Sequence, residues 1–364
     1  MPADLEDKTM KRIDTMLSLA GVGENQAVLI HKPSNIFYLS GYTGEGLLAV
    51  GKGFQAIVTD FRYTEQAERQ APGFQVLMVE KGVSHAALAA KLFAGHQIAQ
   101  VYYEDDEVTV RGFGKMQKDM PGLAFLPLNG APEKARRIKD EHELALIEEA
   151  CDISCRALDE IIPRIHPGMT EKQLQIMLDY KMLELGADSL AFNTIVASGV
   201  NGSLPHAIPS DKKIEKGEMI TLDFGAKKGG YCADMTRTLA LGAPSPEMKK
   251  IYDTVLLAQE TCESMLAPGK CCRDIDAEAR RIIDAAGYAG RFGHGLGHSV
   301  GIDIHEEPRL SPTCEDLLET GHTITVEPGI YVPGLGGVRI ENTCAITEKG
   351  GRTLVHAQKA LLIL

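Results

Sequence analysis

The sequence lacks any long hydrophobic run. Its 364 residues contain no stretch of 18 consecutive apolar residues, which is roughly the length that a helix needs to cross a bilayer. We therefore expect no membrane-spanning segment. The first residues, MPADLEDKTMKRID, are polar and acidic and do not resemble a secretory signal. Both features favour a cytoplasmic protein.

Paired cysteines and an excess of basic residues are missing as well. The eight cysteines include no Cys-x-x-Cys pair, which favours free buried thiols in a reducing compartment and does not indicate a thiolate metal site. The net charge is −12 at pH 7, which argues against nucleic acid as a partner. With 44% apolar and 24% charged residues, the composition is that of an ordinary globular protein.

The chain is long enough for two domains with separate hydrophobic cores. Residues 1–130 alternate short apolar runs with helical patterns, which predicts an α/β domain with a glycine-rich structural turn at 41–46. The segment NGAPEKA marks the expected boundary, so that residues 131–364 form the second domain. The expected strands lie at 27–30, 35–39, 56–60, 74–79 and 99–104, and the expected helices at 63–70 and 84–93.

The second domain contains an internal repeat. After a long helical pattern over 136–162, a turn at Pro167-Gly168 precedes a helix that runs to Gly186. The same arrangement returns, with the same spacing, at Pro268-Gly269 and Gly287. Each half is predicted to contain a helix, a turn, a second helix and then β structure. This duplication predicts a pseudo-symmetric α+β domain with a site between its halves.

Two acidic residues flank the turn of a predicted hairpin in each half. In the stretch ITLDFGAKKGGYCADMTRT, 220–238, Asp223 and Asp234 lie about equally far from a Lys-Gly-Gly turn. We therefore expect them opposite each other on one face. Glu327 and Glu341 are placed in the same way around the turn PGLGG in the second half. Facing carboxylates repel each other, and a cation between them removes that cost.

Histidines add to this acidic set. The glycine-rich segment 291–310 holds His294, His298 and His305, and in extended structure the even spacing of the first two places them on one face. Carboxylate oxygens with an imidazole suit hard or borderline divalent ions such as Mn²⁺, Co²⁺, Zn²⁺ or Fe²⁺. Two such ions would neutralise four carboxylates, and paired metals are a common hydrolytic arrangement.

These motifs resemble those of one known family. The stretches LDFGA…YCADMTRT, GHGLGHSVGIDIHEEP and TVEPGIYVPGLGGVRIEN are similar to the pita-bread metallopeptidases of the creatinase, aminopeptidase P and prolidase group. NIFYLSGYTGEG and TDFRYTEQA extend the resemblance into the first domain. It implies a creatinase-like α/β N-terminal domain and a pita-bread catalytic domain with two divalent ions, preferably Mn²⁺. The implied metal ligands are Asp223, Asp234, His298, Glu327 and Glu341.

The resemblance also implies roles around the ligands. Glu327 would act as the general base, and His294 and His305 would stabilise the charge that develops on the substrate. The residues implied on the substrate side are His206, in LPHAIPSD, the same two histidines, and the neighbouring pair Tyr331 and Arg339.

The implied activity is that of a homodimeric exopeptidase that releases the N-terminal residue from peptides with proline in second position. The alternative is an Xaa-Pro dipeptidase, which must recognise a carboxylate just past the proline. Arg309, in HEEPRL, is the candidate cation for that task. The resemblance to short bacterial aminopeptidase P enzymes favours an open cleft that accepts longer peptides. Methionine aminopeptidase, which shares the metal site, and a non-catalytic peptide-binding domain, which would have lost ligands, are further alternatives.

Overall fold

A computed structural model describes residues 3–364, with side chains from Lys8 onward. The chain forms two compact units, which divide between Arg136 and Arg137. The helices of the first unit are α1 Ala3–Ala20, α2 Pro33–Ser40, α3 Thr64–Gln70, α4 His85–Gly95, α5 Val110–Asp119 and α6 Ala131–Arg136. Its strands are β1 Gln26–Ile30, β2 Leu47–Gly51, β3 Phe54–Thr59, β4 Gln75–Met78, β5 Gln100–Tyr103 and β6 Ala124–Pro127.

The first unit is an α/β structure built on one six-stranded sheet. Its strands lie in the order β4-β3-β2-β1-β5-β6. The pairs β1–β2 and β2–β3 are antiparallel and the other pairs are parallel. Leu29 and Val101 of the sheet and Phe93 of α4 belong to one buried core. The α/β class expected for this domain is confirmed.

One predicted strand of the first unit is wrong. Residues 35–39 lie within helix α2, because Pro33 occupies its first turn with a backbone angle that already suits a helix. The helix ends at Gly41, whose φ of 75° is left-handed and whose N–H donates to Phe37 O at 2.7 Å. Strands β2 and β6 have no counterpart among the predicted strands.

Helix α6 determines where the two units divide. The Tyr38 hydroxyl donates to Ala135 O at 2.9 Å, and Arg136 Nη1 donates to Asn35 Oδ1 at 2.7 Å. Residues 131–136 therefore lie on the first unit's side of the division, whereas the sequence places them in the second domain. A turn-rich segment marks a boundary region, and tertiary contacts decide to which side a short helix belongs.

The second unit carries the repeat. Its helices are α7 Glu141–Ile161, α8 Glu171–Glu184, α9 Pro246–Ser264 and α10 Cys272–Ile283, with short helical turns at Ile162–Arg164, Gly199–Ser203 and Asp284–Tyr288. Its strands are β7 Ser189–Leu190, β8 Ile195–Ser198, β9 Glu218–Phe224, β10 Ala226–Lys228, β11 Tyr231–Cys232, β12 Met235–Leu241, β13 Gly297–Ser299, β14 Glu306–Leu310, β15 Thr323–Val326, β16 Gly329–Val332, β17 Gly336–Arg339, β18 Asn342–Thr347 and β19 Gly350–Thr353.

Each half of the second unit begins with a helical pair, α7 with α8 and α9 with α10. Helix α7 begins at Glu141, where Asp140 and Glu143 form a capping box. Residues 136–140 of the predicted long helix therefore lie outside it. Antiparallel strands follow each pair, in the orders β12-β9-β8 and β15-β18-β19. The pseudo-symmetric α+β architecture is confirmed.

The register of the first hairpin differs from the prediction. Thr236, rather than Asp234, lies opposite Asp223. Strands β10 and β11 pair Lys228 with Tyr231, so the turn is centred one position further along the chain than expected. Asp234 still lies beside Asp223, because residues two positions apart along an extended chain share a face.

The second hairpin has the predicted register. Gly329 lies opposite Arg339, and Val326 lies opposite Asn342. The residues between these pairs follow the same alignment, so Glu327 and Glu341 face each other as expected.

The sequence predicts no membrane-spanning segment and no paired cysteines, and the structure describes residues 3–364 for comparison. Within this range, no helix combines the length and the apolar character that a membrane crossing requires. The cysteines are free thiols, as predicted, and most of them are buried. The reducing compartment stays a prediction.

Candidate active site

The residues singled out from the sequence converge on one cleft in the second unit. This cleft has a volume of about 420 Å³ and is lined from both halves of the repeat. Its lining includes every predicted site residue except Tyr331, namely His206, Asp223, Asp234, His294, His298, His305, Arg309, Glu327, Arg339 and Glu341.

Four carboxylates share this cleft with the buried imidazole of His298. His298 Nε2 lies 3.5 Å from Asp234 Oδ2 and 3.4 Å from Glu327 Oε1. Ligand atoms of Asp234, His298 and Glu341 all lie within 4.8 Å of one another. Asp223 completes the acidic set and shares the cleft wall. These separations allow a cation to contact several of the groups at once.

The backbone determines which nitrogen of His298 carries the proton. Its Nδ1 lies 3.0 Å from Ser299 O, and because a carbonyl oxygen only accepts, Nδ1 bears the hydrogen. Nε2 then presents its lone pair to the carboxylates, which is the form that a metal ligand needs. Burial, and next the neighbouring His305, lower the pKa of His298 to about 3, so the ring stays neutral at physiological pH.

Burial makes the carboxyl groups costly to ionise together. It raises the pKa of Glu341 to about 8, and the charge of Asp223 adds to the rise. The pKa values of Asp234 and Glu327 are also raised, first by burial and then by the charge of Glu341. Thr236 Oγ1 donates to Glu341 Oε2 at 2.7 Å, which offsets only part of this cost.

The residues present fit a divalent metal site. Among the described residues, nothing donates a hydrogen bond to the buried Asp223 Oδ1, although Asp223 Oδ2 accepts from Arg339 Nη2 at 2.5 Å. A buried carboxylate oxygen without a donor raises the free energy of the folded state unless a cation contacts it. The donor set of oxygens and one imidazole nitrogen is one that hard and borderline divalent ions prefer.

A chain of hydrogen bonds links Arg339 to His294. Arg339 Nη1 donates to the Tyr331 hydroxyl at 2.9 Å, which lies 2.8 Å from His294 Nε2. His294 Nδ1 lies 2.8 Å from Gly295 O, so Nδ1 carries the hydrogen and Nε2 accepts from Tyr331. Burial, and then the charge of Arg339, lower the pKa of His294 to about 4. A neutral imidazole therefore lies beside Glu327, with Nδ1 3.9 Å from Oε2.

His206, His305 and Arg309 lie at the exposed side of the cleft. The ring of His305 contacts that of His298 edge to face, with centroids 4.5 Å apart. Arg309 pairs with His298 across β13 and β14. Its side chain is 51% exposed and its Nε donates to Glu307 Oε1 at 3.2 Å. A partly solvated cation thus lies next to the buried imidazole.

Two threonines that hold site residues are absent from the sequence-based site prediction. Thr236 Oγ1 accepts from Arg339 Nε at 3.1 Å while it donates to Glu341. Thr325 Oγ1 donates to Glu327 Oε1 at 3.4 Å. Each lies two residues from a predicted ligand in a predicted hairpin, and this alternation is the signal that could identify it.

Comparison with protein families places this site in a known group. The model of metallopeptidase family M24 matches residues 145–348, and that of the creatinase/prolidase N-terminal domain matches residues 12–138. The first match alone covers more than half of the chain. The protein therefore belongs to metallopeptidase family M24, and the resemblance stated from its motifs is confirmed.

Individual relatives align over nearly the whole chain. The protein is 40% identical to the peptidase YqhT of Bacillus subtilis, over 97% of this chain and 100% of the relative. It is 33% identical to an Xaa-Pro dipeptidase of Pyrococcus furiosus, over 97% and 99% of the two chains.

Solved structures confirm the two-domain architecture. An Xaa-Pro dipeptidase from Bacillus anthracis matches with a TM-score of 0.93 and 37% identity, covering 98% of this chain and 100% of that one. An X-Pro aminopeptidase from Thermotoga maritima matches with a TM-score of 0.89 and 34% identity, covering 96% and 99%.

Proposed function

We propose that this protein is an Xaa-Pro dipeptidase that hydrolyses dipeptides with proline in second position and uses two divalent ions. The position of Arg309 carries this proposal. Arg309 is the register partner of His298, and both line the cleft that holds the four carboxylates. In such a dipeptide the terminal carboxylate is that of the proline itself. The guanidinium of Arg309, on the strand next to that of His298, is therefore suited to bind this carboxylate.

The sequence alone favours release of the N-terminal residue from longer peptides. The names of the relatives support the dipeptidase alternative better, since both the Pyrococcus furiosus relative and the Bacillus anthracis structure carry that activity in their names. The Thermotoga maritima structure is that of an X-Pro aminopeptidase. Release of the N-terminal residue from longer peptides is therefore the second candidate function.

The metal ions would be held by Asp223, Asp234, His298, Glu327 and Glu341, with Mn²⁺ preferred. Bound divalent ions lower the pKa of water and polarise a carbonyl oxygen. A non-catalytic role is less consistent with this chain, because the whole ligand set implied by the family is present and lines one cleft. A homodimer, also implied by the resemblance, stays a prediction.

Glu327 is the residue proposed to move the proton. Its Oε1 lies 3.4 Å from His298 Nε2 within the proposed ligand set, so its carboxylate is placed to accept a proton from the attacking water. A prolyl nitrogen has no hydrogen in the peptide, so the proton that it needs on leaving must come from elsewhere. Glu327 can return the proton that it took from water.

His294 and His305 are proposed to contact the substrate. Burial lowers the pKa of both imidazoles, so both are neutral near pH 7 and do not repel a cation. His305 can hydrogen-bond the substrate, whereas both ring nitrogens of His294 are engaged by Gly295 O and the Tyr331 hydroxyl, so the contact proposed for its ring is one of packing. His206 lies on the wall next to Pro205 and is exposed at the cleft mouth. It is placed to contact the substrate where it enters.

The test is a comparison of substrate length. With Mn²⁺ added, kcat/KM is measured for an Xaa-Pro dipeptide and for a longer peptide with the same first two residues. We expect the dipeptide to be preferred. Arg309→Ala should cost about 1.5–3 kcal/mol of transition-state binding on the dipeptide, as for a hydrogen bond to a charged group, and much less on the longer peptide.

Arg352→Ala is the matched control. Arg352 is 46% exposed and pairs with Glu148, much as Arg309 pairs with Glu307, and it does not line the cleft. Preference for the longer peptide, with no effect of Arg309→Ala on either substrate, would assign the protein to the aminopeptidases.

A further inference from the structure

An ion pair on helix α10 takes no part in the proposed chemistry. Arg280 Nε donates to Asp276 Oδ2 at 2.7 Å, and Arg280 Nη2 donates to Asp276 Oδ1 at 3.0 Å. This two-pronged geometry fixes both side chains. The side chain of Asp276 is only 1% exposed, so the pair is more than a solvated surface contact. We call Asp276 and Arg280 the α10 pair.

The α10 pair holds the backbone of the segment that carries His294. Arg280 Nη1 donates to Phe292 O at 2.9 Å, and Nη2 donates to His294 O at 2.6 Å. Asp276 Oδ1 accepts from the N–H of Leu296 at 3.0 Å. Three backbone groups between Phe292 and Leu296 therefore have their partners on α10.

The same arginine also restrains the side chains of this segment. Its guanidinium lies over the ring of Phe292, 4.6 Å from the centroid. The Phe292 ring contacts the His294 imidazole edge to face, with centroids 4.9 Å apart and planes at 85°. Arg280 is thus connected to His294 through the backbone carbonyl and through an aromatic neighbour.

Apart from these contacts, the segment is held by backbone hydrogen bonds at its two ends, where Arg291 O accepts from Tyr331 and Leu296 O accepts from Glu327. Residues 291–296 belong to no helix or strand, and glycines flank His294 on both sides, which leaves its backbone weakly restricted. Yet the imidazole of His294 lies 2.8 Å from the Tyr331 hydroxyl and 3.9 Å from a Glu327 oxygen. A shift of about 1 Å in catalytic geometry can cost on the order of 10²-fold in rate.

We propose that Asp276 and Arg280 are positioning residues that hold the 292–296 segment so that His294 keeps its place between Tyr331 and Glu327. The pair acts through His294 and touches no substrate. This inference rests on the proposed function, because the position of His294 affects a rate only if the cleft hydrolyses peptides.

The first experiment measures the segment directly and needs no activity. Amide hydrogen exchange is followed in metal-free protein for the wild type, Arg280→Lys and Asp276→Asn. We expect faster exchange of the Leu296 amide and its immediate neighbours in both variants, because the Leu296 N–H donates to Asp276, whose carboxylate Arg280 holds in place.

Glu278→Gln and Arg281→Lys are the matched controls. Arg281 pairs with Glu278 at 2.6 Å on the same helix, with 65% of its side chain exposed, and these two residues have no hydrogen bond to the 292–296 segment. They should leave the exchange unchanged. Unchanged exchange in the α10-pair variants, or an increase spread over the whole second unit with a lower Tm, would overturn the proposal.

The second experiment asks whether the pair acts through His294. Arg280→Lys should lower kcat/KM for an Xaa-Pro dipeptide by about tenfold or more, mainly through kcat. In a His294→Ala background the same change should have almost no further effect, since residues that act as one unit are non-additive. Additive effects would refute the inference. If the wild type cleaves no Xaa-Pro peptide, the proposed function fails, and the exchange measurement still decides whether the pair holds the segment.

Discussion

Arg339 donates to the carboxylate of Asp223, a proposed metal ligand, at 2.5 Å. The same guanidinium donates to the Tyr331 hydroxyl and, through that hydroxyl, is connected to His294. Its side chain is 4% exposed. One buried arginine thus links the metal-ligand set to the imidazole on the substrate side, and this link leads to the first prediction.

Arg339→Lys should fold but lose activity. A lysine keeps the positive charge beside Asp223, so no buried carboxylate loses its counter-ion. It cannot donate in one plane to Asp223, Tyr331 and Thr236 together, as the arginine does. We expect kcat/KM to fall by about 10–100-fold, in line with the loss of hydrogen bonds to charged groups. Steady-state kinetics and a thermal melt would measure this, and near-wild-type kcat/KM would show that the link is not used.

Glu327→Gln should separate catalysis from folding. The amide keeps the shape of the side chain but cannot accept a proton, so turnover should fall by about 10²–10⁴-fold. In metal-free protein, circular dichroism and Tm should stay close to those of the wild type, because burial there disfavours the ionised carboxyl. Near-normal turnover by a well-folded variant would remove Glu327 from the proton-transfer role.

The third prediction concerns how many metal ions the protein binds. Elemental analysis of reconstituted protein should find two divalent ions per chain, and a chelator should abolish activity. His298→Ala should lower the stoichiometry, because its Nε2 lone pair faces Asp234 and Glu327. His142→Ala, at a histidine that does not line the cleft, is the control. No bound metal in active wild-type protein would contradict the metal-ligand assignment.

Metal-free protein should lose stability as pH rises from about 6.5 to about 8. The folded-state pKa of Glu341 is raised from 4.5 to about 8, so in this window the unfolded chain has released a proton that the folded chain retains, and rising pH favours unfolding. The lowered pKa values of His298 and His294, about 3 and about 4, act in the opposite sense only below about 6.5, where unfolded histidines gain protons.

Bound cations should reverse this trend, because they stabilise the ionised carboxylates. The increase in Tm on adding Mn²⁺ should therefore grow between pH 6.5 and 8. Thermal melts with and without the metal across this range provide the measurement. A metal-free Tm that rises steadily to pH 8 would contradict the raised pKa of the carboxyl cluster.

Much of the fold follows from local patterns. The repeated Pro-Gly turns identify the two helical pairs, and apolar runs around short turns identify the hairpins, because both signals reside in neighbouring residues. The errors occur where local signals are ambiguous. Residues 35–39 are apolar enough for a buried strand, but Pro33 and Gly41 delimit a helix. The composition of the turn around residue 229 is compatible with two adjacent registers of the first hairpin. The observed pairing of Asp223 with Thr236 shows which register the strands adopt.

The order of residues along the chain identifies which residue types form the site and how they are spaced: two acidic pairs on two hairpins and three histidines between them. Three features follow from the fold alone: the protonation of His298, set by Ser299 O, the placement of Arg309 opposite it, and the contact of α10 with the His294 segment. Spacing is a property of neighbours in the chain. Hydrogen bonds, burial and pKa depend instead on atoms that the fold brings together from distant elements.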